Sequence, residues 1–223
     1  MAGIFSIPYF KLLLAVFGIV FVLREYFSFR RTLVLKYIFT PLITMSVILF
    51  VLLSIKMRGL ESYSFLILLG LMLSLVGDTI LMIEEVSKFF NGLLFFLMAH
   101  ISYICAFSLN YSFQPWNAGI GLVLLLIIAA GFGRFRGKLH KYKIPVLMYM
   151  LMISLMLFLA FGSLNGGVNP RSLLTVVGAV TFTLSDIVLA VNAFIFPIPK
   201  STVITWALYA PAQLLIAMTC FFV

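Results

Sequence analysis

The sequence predicts an all-α integral membrane protein, a bundle of eight transmembrane helices, and three observations predict it. Of its 223 residues 64% are hydrophobic and 9% charged, where a soluble domain is near half apolar and about a quarter charged. With so few charges to cover an outer surface, that surface must face lipid. The apolar residues gather into runs near 5–23, 35–54, 63–83, 90–109, 117–133, 144–163, 172–194 and 201–221, each close to the roughly 20 residues a helix needs to cross the hydrocarbon layer. Runs of that length are too long for barrel strands, and a helix satisfies its own backbone in lipid. Eight spans use roughly 160 residues and leave about 60 for connections and tails. Residues 1–223 therefore read as one transmembrane domain with no room for a separate soluble one.

The first run carries Lys11 inside it, and no small-residue cleavage pattern follows it. It reads as a retained span and not as a signal peptide. Polar stretches then close the runs in turn: Arg24 to Arg31, Lys56 to Ser62, Glu84 to Lys88, Asn110 to Trp116, Arg134 to Lys143, Leu164 to Arg171 and Phe196 to Lys200. Eleven of the fifteen Lys and Arg residues fall at the odd-numbered connections. That excess places those connections in the cytoplasm and both termini outside. A basic balance of 15 against 6 acids could suggest nucleic acid, but in a membrane protein it sets orientation, so no nucleic-acid partner is expected. The Arg134–Lys143 stretch reads as an anchor on anionic membrane lipids. Cys105 and Cys220 lie in apolar runs, match no metal or redox spacing, and are expected to be buried and inert.

The two halves resemble each other. Gly70 stands eight residues before Asp78, and Gly178 eight before Asp186. In the following span of each half, Phe96-x-x-Ala99-His100 parallels Tyr209-x-x-Ala212-Gln213. The offsets are 108 and 113 residues, which requires an inserted loop. Such copies would be parallel four-helix repeats related by an axis along the membrane normal.

Asp78 and Asp186 are the only aspartates, and both lie inside apolar spans. Each carries an insertion penalty of roughly 2.5–3.5 kcal/mol, which makes it a functional candidate. The plain alternative is an interhelical hydrogen bond that holds the bundle together. By helical rise, Asp78 lies roughly 8 Å and Asp186 roughly 12 Å above the cytoplasmic end of its span, with His100 and Gln213 about 15–18 Å in. These four groups share a cavity only if the third, fourth, seventh and eighth spans are neighbours. Gly70, Ser74 and Asp78 fall on one helix face, as do Tyr209 and Gln213, and as do His100 and Tyr103. Ser74, His100, Tyr103, Tyr209 and Gln213 are thus candidate substrate-binding residues, with packing as the other reading for Ser74, Tyr103 and Tyr209.

Two histidines are too few for a multi-histidine zinc hydrolase, no Gly-x-Ser-x-Gly elbow is present, and no glycine loop could cradle phosphate. Chemistry run by two carboxylates survives. Two acids close together in a medium of low dielectric do not ionise together, which supplies an acid and a base in one place.

Gly70-Leu71-x-x-Ser74-x-x-Gly77-Asp78-x-x-Leu81-Met82, followed by Phe90-x-Gly92-x-x-x-Phe96-x-x-Ala99-His100-x-x-Tyr103-x-x-Ala106-Phe107, resembles the YhhN-like lysoplasmalogenase family. Ser185-Asp186-x-x-Leu189-Ala190-x-x-x-Phe194 and Tyr209-x-x-Ala212-Gln213-x-Leu215-Ile216 resemble its second pair of motifs. The resemblance covers four spans, about half of the chain. It implies an eight-span ether hydrolase that cleaves the vinyl ether bond of alkenyl lysophospholipids, releasing a fatty aldehyde and glycerophosphocholine or glycerophosphoethanolamine. No metal cofactor is expected, and the catalytic residues would be Asp78 and Asp186. The host membrane would be the endoplasmic reticulum in a eukaryote or the inner membrane in a bacterium. One departure is Thr40-Pro41-Leu42, where members often carry Lys-Pro-Leu; Lys36, one turn earlier, would take over any phosphate contact.

In the expected reaction an acid protonates the outer alkene carbon, and a carboxylate stabilises the oxocarbenium ion and orients water. The residues leave open which aspartate does which, with the shallower Asp78 favoured as the charged one. The headgroup would face the cytoplasmic rim, where Arg24, Arg30, Arg31 and Lys88 stand; those charges read first as orientation determinants. Two other readings stay open. A proton-coupled transporter would also use membrane carboxylates in parallel repeats. An intramembrane aspartyl protease would suit Ala210-Pro211-Ala212, although Leu75-Val76-Gly77-Asp78 lacks the first glycine of the Gly-x-Gly-Asp signature.

Overall fold

The computed structural model describes residues 7, 9–30, 32–82, 86–109 and 111–222. Among them eight helices are long and apolar enough to cross a membrane. These are α1 (Phe10–Phe29), α2 (Leu33–Arg58), α3 (Ser62–Met82), α4 (Val86–Ser108), α5 (Pro115–Phe135), α6 (Lys143–Gly162), α7 (Pro170–Phe194) and α8 (Ser201–Met218). Their order and number agree with the sequence reading, and the protein is an all-α, multi-pass membrane protein. Ile4, Arg31, Glu84, Glu85 and Asn110 lie outside the described residues, as does the side chain of Lys88.

Helix ends follow local chemistry. α7 begins with a reciprocal capping box: Asn169 Oδ1 accepts from the Ser172 backbone N–H, and Ser172 Oγ accepts from the Asn169 N–H. Pro170 occupies the first helical turn, where its missing N–H costs nothing. α2 ends at Gly59, whose φ of +90° a side chain would resist. α1 departs from expectation. It continues through Arg24 and Glu25 to Phe29, six residues past the expected end of its apolar run. Polarity in sequence marked a connection there, but Arg24 is completely buried and paired with Glu25, so the helix pays no exposure penalty for carrying them.

Six helices close a ring in the order α2, α3, α4, α6, α7, α8, with α8 returning to α2. α1 lies outside against α2 and α8, and α5 lies outside against α6. The neighbour pattern of the first four helices recurs in the second four: α1 on α2 as α5 on α6, α3 with α4 as α7 with α8, and α4 against α6 as α8 against α2. The tight pairs α3–α4 and α7–α8 depend on missing side chains. A Cβ at Gly70 would collide with the Tyr103 ring, and one at Gly178 would sit 2.9 Å from Ile216 Cγ1. Small residues at these crossings allow close backbone approach, the main packing device where lipid removes the hydrophobic drive. Cys220 is buried as expected, but Cys105 is exposed. It lies on the α4 face with Ile101 and Met98, which points to lipid, so an apolar run did not by itself imply burial.

Candidate active site

The ring aims its polar residues inward. Asp78 on α3 and Asp186 on α7 line one cavity of about 280 Å³, together with Arg24, Lys36, Thr40, Phe96, Asn192, Trp206 and Tyr209. The cavity lies toward the end of the bundle where α1, α3 and α7 finish and α2 and α8 begin. The Arg134–Lys143 connection is at that same end, since Lys138 Nζ donates to the Ile195 carbonyl just past α7 at 3.5 Å.

Asp78 is 3% exposed and Asp186 7%, so each carboxylate depends on protein partners. Thr44 on α2 donates to Asp78 Oδ2 at 2.5 Å, and Tyr209 on α8 donates to the same oxygen at 3.1 Å. Behind Tyr209 runs a chain of hydrogen bonds: Tyr103 OH donates to Gln213 Oε1 at 2.7 Å, and Gln213 Nε2 donates to Tyr209 OH at 2.9 Å. The chain leaves Tyr209 free to spend its own proton on Asp78.

Asp186 has a different setting. Tyr149 on α6 donates to its Oδ2 at 2.5 Å, and His100 Nε2 on α4 lies 3.5 Å from the same oxygen. His100 Nδ1 is 2.7 Å from the Phe96 carbonyl. A carbonyl only accepts, so Nδ1 carries a hydrogen, and in a neutral ring Nε2 then presents a lone pair toward Asp186. A lone pair facing a carboxylate oxygen would repel it. His100 Nε2 has no hydrogen-bond partner, and a proton on either group would relieve that repulsion. The ring is held by edge contacts to Tyr149 at 5.3 Å and Phe182 at 4.9 Å between centroids.

The structure brings Asp78, Asp186 and Tyr209 to the cavity wall. Ser74, His100, Tyr103 and Gln213 are buried behind it and are not among the lining residues. Sequence reasoning missed Thr44 and Tyr149, which supply each aspartate with a hydroxyl donor. It also placed Arg24 at the rim, whereas Arg24 forms part of the cavity wall. Lys36 and Thr40 both reach the cavity, so the departure at Thr40-Pro41-Leu42 lies in the wall of the site. Among the described residues no three His, Cys, Asp or Glu side chains group as metal ligands.

Fold and site together define a multi-pass membrane protein with two buried aspartates lining one cavity. Residues 35–220 match the model of the YhhN family, and the chain belongs to that family. It is similar to "Lysoplasmalogenase TMEM86A" of Homo sapiens, 31% identical over 157 residues that cover 69% of this chain and 64% of that protein. It is also similar to "Lysoplasmalogenase TMEM86B" of Sus scrofa, 36% identical over 157 residues covering 67% and 61%. "Lysoplasmalogenase" of Mycobacterium tuberculosis (strain CDC 1551 / Oshkosh) is 31% identical over 160 residues covering 69% and 59%. The chain thus aligns with under two thirds of the length of these relatives. No solved structure matches it.

Proposed function

We propose that the protein is a lysoplasmalogenase: it hydrolyses the vinyl ether bond of alkenyl lysophospholipids to a fatty aldehyde and a glycerophosphocholine or glycerophosphoethanolamine. The observation that carries this reading is the single cavity lined by both Asp78 and Asp186, in a chain whose relatives bear the name lysoplasmalogenase. Asp186, in its protonated form and with His100 Nε2 3.5 Å away, protonates the outer alkene carbon. The resulting oxocarbenium ion is stabilised by the Asp78 carboxylate, which accepts from Thr44 and Tyr209 and takes a proton from the attacking water. The hemiacetal then collapses. The glycerol oxygen leaves with the proton that Asp78 took from water, the hemiacetal hydroxyl returns one to Asp186, and the net change is the addition of one water.

A path for the aliphatic chain supports the same reading. Asp186 and Leu189 line both the polar cavity and a small apolar cavity of about 40 Å³. That small cavity shares Val146, Met150, Ala190 and Phe194 with an apolar groove of about 400 Å³ between α5, α6 and α7. An alkenyl chain lying in the groove would bring its vinyl ether to the aspartates and leave its polar end in the cavity. With the basic connections in the cytoplasm and the termini outside, the headgroup enters from the cytoplasmic side of an endoplasmic reticulum or bacterial inner membrane.

The test is incubation of purified protein with an alkenyl and an acyl lysophospholipid of equal chain length, followed by measurement of free aldehyde. Aldehyde from the alkenyl lipid alone is expected. Folded protein that releases none from it overturns the proposal.

A further inference from the structure

Arg24 is the largest completely buried side chain among the described residues. Its guanidinium is engaged on one edge and one face only. Nη1 donates to Glu25 Oε1 at 2.6 Å, and the plane lies 4.3 Å from the Trp206 ring centroid. Nε and Nη2 have no hydrogen-bond partner although both are buried. In a guanidinium the Nε–H and the Nη2–H beside it point the same way and form the fork that matches two oxygens of one phosphate. Arg24 thus carries an unpartnered, buried fork and lines the cavity that holds both aspartates.

An orientation determinant would sit at the rim in water, and a purely structural arginine would have its donors filled. Adjacent residues on a helix do not face each other, so the Arg24–Glu25 contact holds the guanidinium edge in place without closing it. Glu25 neutralises the Arg24 charge and Asp78 lies in the same wall, so the fork would select its ligand by the geometry of two oxygens. α1 also lies outside the stretch that matches the family model, residues 35–220, so this site comes from the geometry of the present chain.

We propose that the Nε–Nη2 edge of Arg24 is a subsite for the phosphodiester of a glycerophospholipid headgroup. The inference rests on the reading that the cavity takes a lysophospholipid, and it specifies which end of the cavity holds the phosphate. The vinyl ether then lies between the phosphate at Arg24 and the chain leaving past Asp186. Trp206 links the subsite to the reacting end, since its ring packs on Tyr209 at 5.0 Å between centroids and Tyr209 donates to Asp78.

The test compares two substrates that share one alkenyl chain, an alkenyl glycerophosphoethanolamine and an alkenyl glycerol without phosphate. Arg24→Lys keeps the charge and loses the fork; Arg24→Gln with Glu25→Gln removes both charges and leaves neither unpaired. Both variants are expected to raise KM about tenfold or more for the phosphorylated substrate, as loss of a bidentate contact does. The loss on the alkenyl glycerol should be several-fold smaller than the loss on the phosphorylated substrate. Equal losses on both substrates would mean a structural role and overturn the subsite. A second arm does not need hydrolysis. In a Trp116→Phe background Trp206 is the single tryptophan, and its fluorescence should respond to glycerophosphoethanolamine in the native Arg24 protein and not in the Gln variants. A response to inorganic phosphate alone, or to neither ligand, overturns the assignment to a lipid phosphodiester. If Trp206 responds as expected while no alkenyl lipid is cleaved, the subsite stands and the proposed hydrolysis fails.

Discussion

Asp78 receives one hydrogen bond from its own half of the molecule, Thr44 on α2, and one from the other half, Tyr209 on α8. Asp186 accepts one from Tyr149 on α6 of its own half, and from the other half His100 Nε2 on α4 stands 3.5 Å away without a hydrogen bond. The helices correspond, but the groups on them do not. On α8 the residue that reaches Asp78 occupies the position matching Phe96; on α4 the residue that reaches Asp186 occupies the position matching Gln213. Asp78 is thus held by two hydroxyl donors, whereas Asp186 has one hydroxyl donor and an imidazole nitrogen nearby. A repeated helix arrangement can hold two acids in one cavity while differences one helical turn apart give them different surroundings.

If the two carboxylates divide acid and base as proposed, neither tolerates an amide. Asp186→Asn and Asp78→Asn should each cut aldehyde release by about 10²–10⁴-fold, the range for losing a positioned acid or base. Near-native release by either variant, with the protein still folded by circular dichroism, would remove that aspartate from the chemistry. The halves should separate at the next residue. His100→Gln keeps a hydrogen-bonding group and loses the titratable ring. It should lower kcat by about tenfold to a hundredfold, equivalent to about 1.5–3 kcal/mol for a contact to a charged group, with KM little changed.

Packing offers a comparison of the same two halves without activity. Gly70→Ala forces a methyl into the Tyr103 ring and should destabilise the protein by about 1–3 kcal/mol, as overpacking does. Gly178→Ala meets Ile216 Cγ1 at 2.9 Å and two backbone atoms at 3.3 Å, a looser approach than the Tyr103 ring makes at Gly70, and should lower the melting temperature less. Equal shifts would show that the two hairpins are equally rigid. The mildest effects should come from the hydroxyl donors. Thr44→Val and Tyr149→Phe each delete one hydrogen bond, worth about 0.5–1.5 kcal/mol, and should slow aldehyde release roughly twofold to tenfold. A much larger loss for Tyr149→Phe than for Thr44→Val would mean that the phenol takes part in moving the Asp186 proton.

The aspartates were legible because each contradicts its surroundings: a carboxylate in an apolar run costs more than a span can ignore without return. Tyr209 and Gln213 were legible as partners because four residues on a helix bring side chains onto one face, and the structure joins them at 2.9 Å. Thr44 and Tyr149 carried no such signal. A threonine or tyrosine fits a span at little cost, and only the neighbours of α2 and α6 reveal what each one touches. Arg24 was misplaced for the complementary reason. Its charge marked the end of a span, whereas burial against Trp206 and Glu25 keeps it inside one.

The number of spans, their all-helical nature and the two costly carboxylates follow from local sums of hydrophobicity along the chain, which need no knowledge of distant residues. The closed ring of six helices, the shared cavity, the donors on α2 and α6 and the open edge of Arg24 depend on how far each helix is rotated about its axis. That rotation is set by contacts such as Tyr103 over Gly70, between residues far apart in sequence, and it emerges only when all the helices pack together.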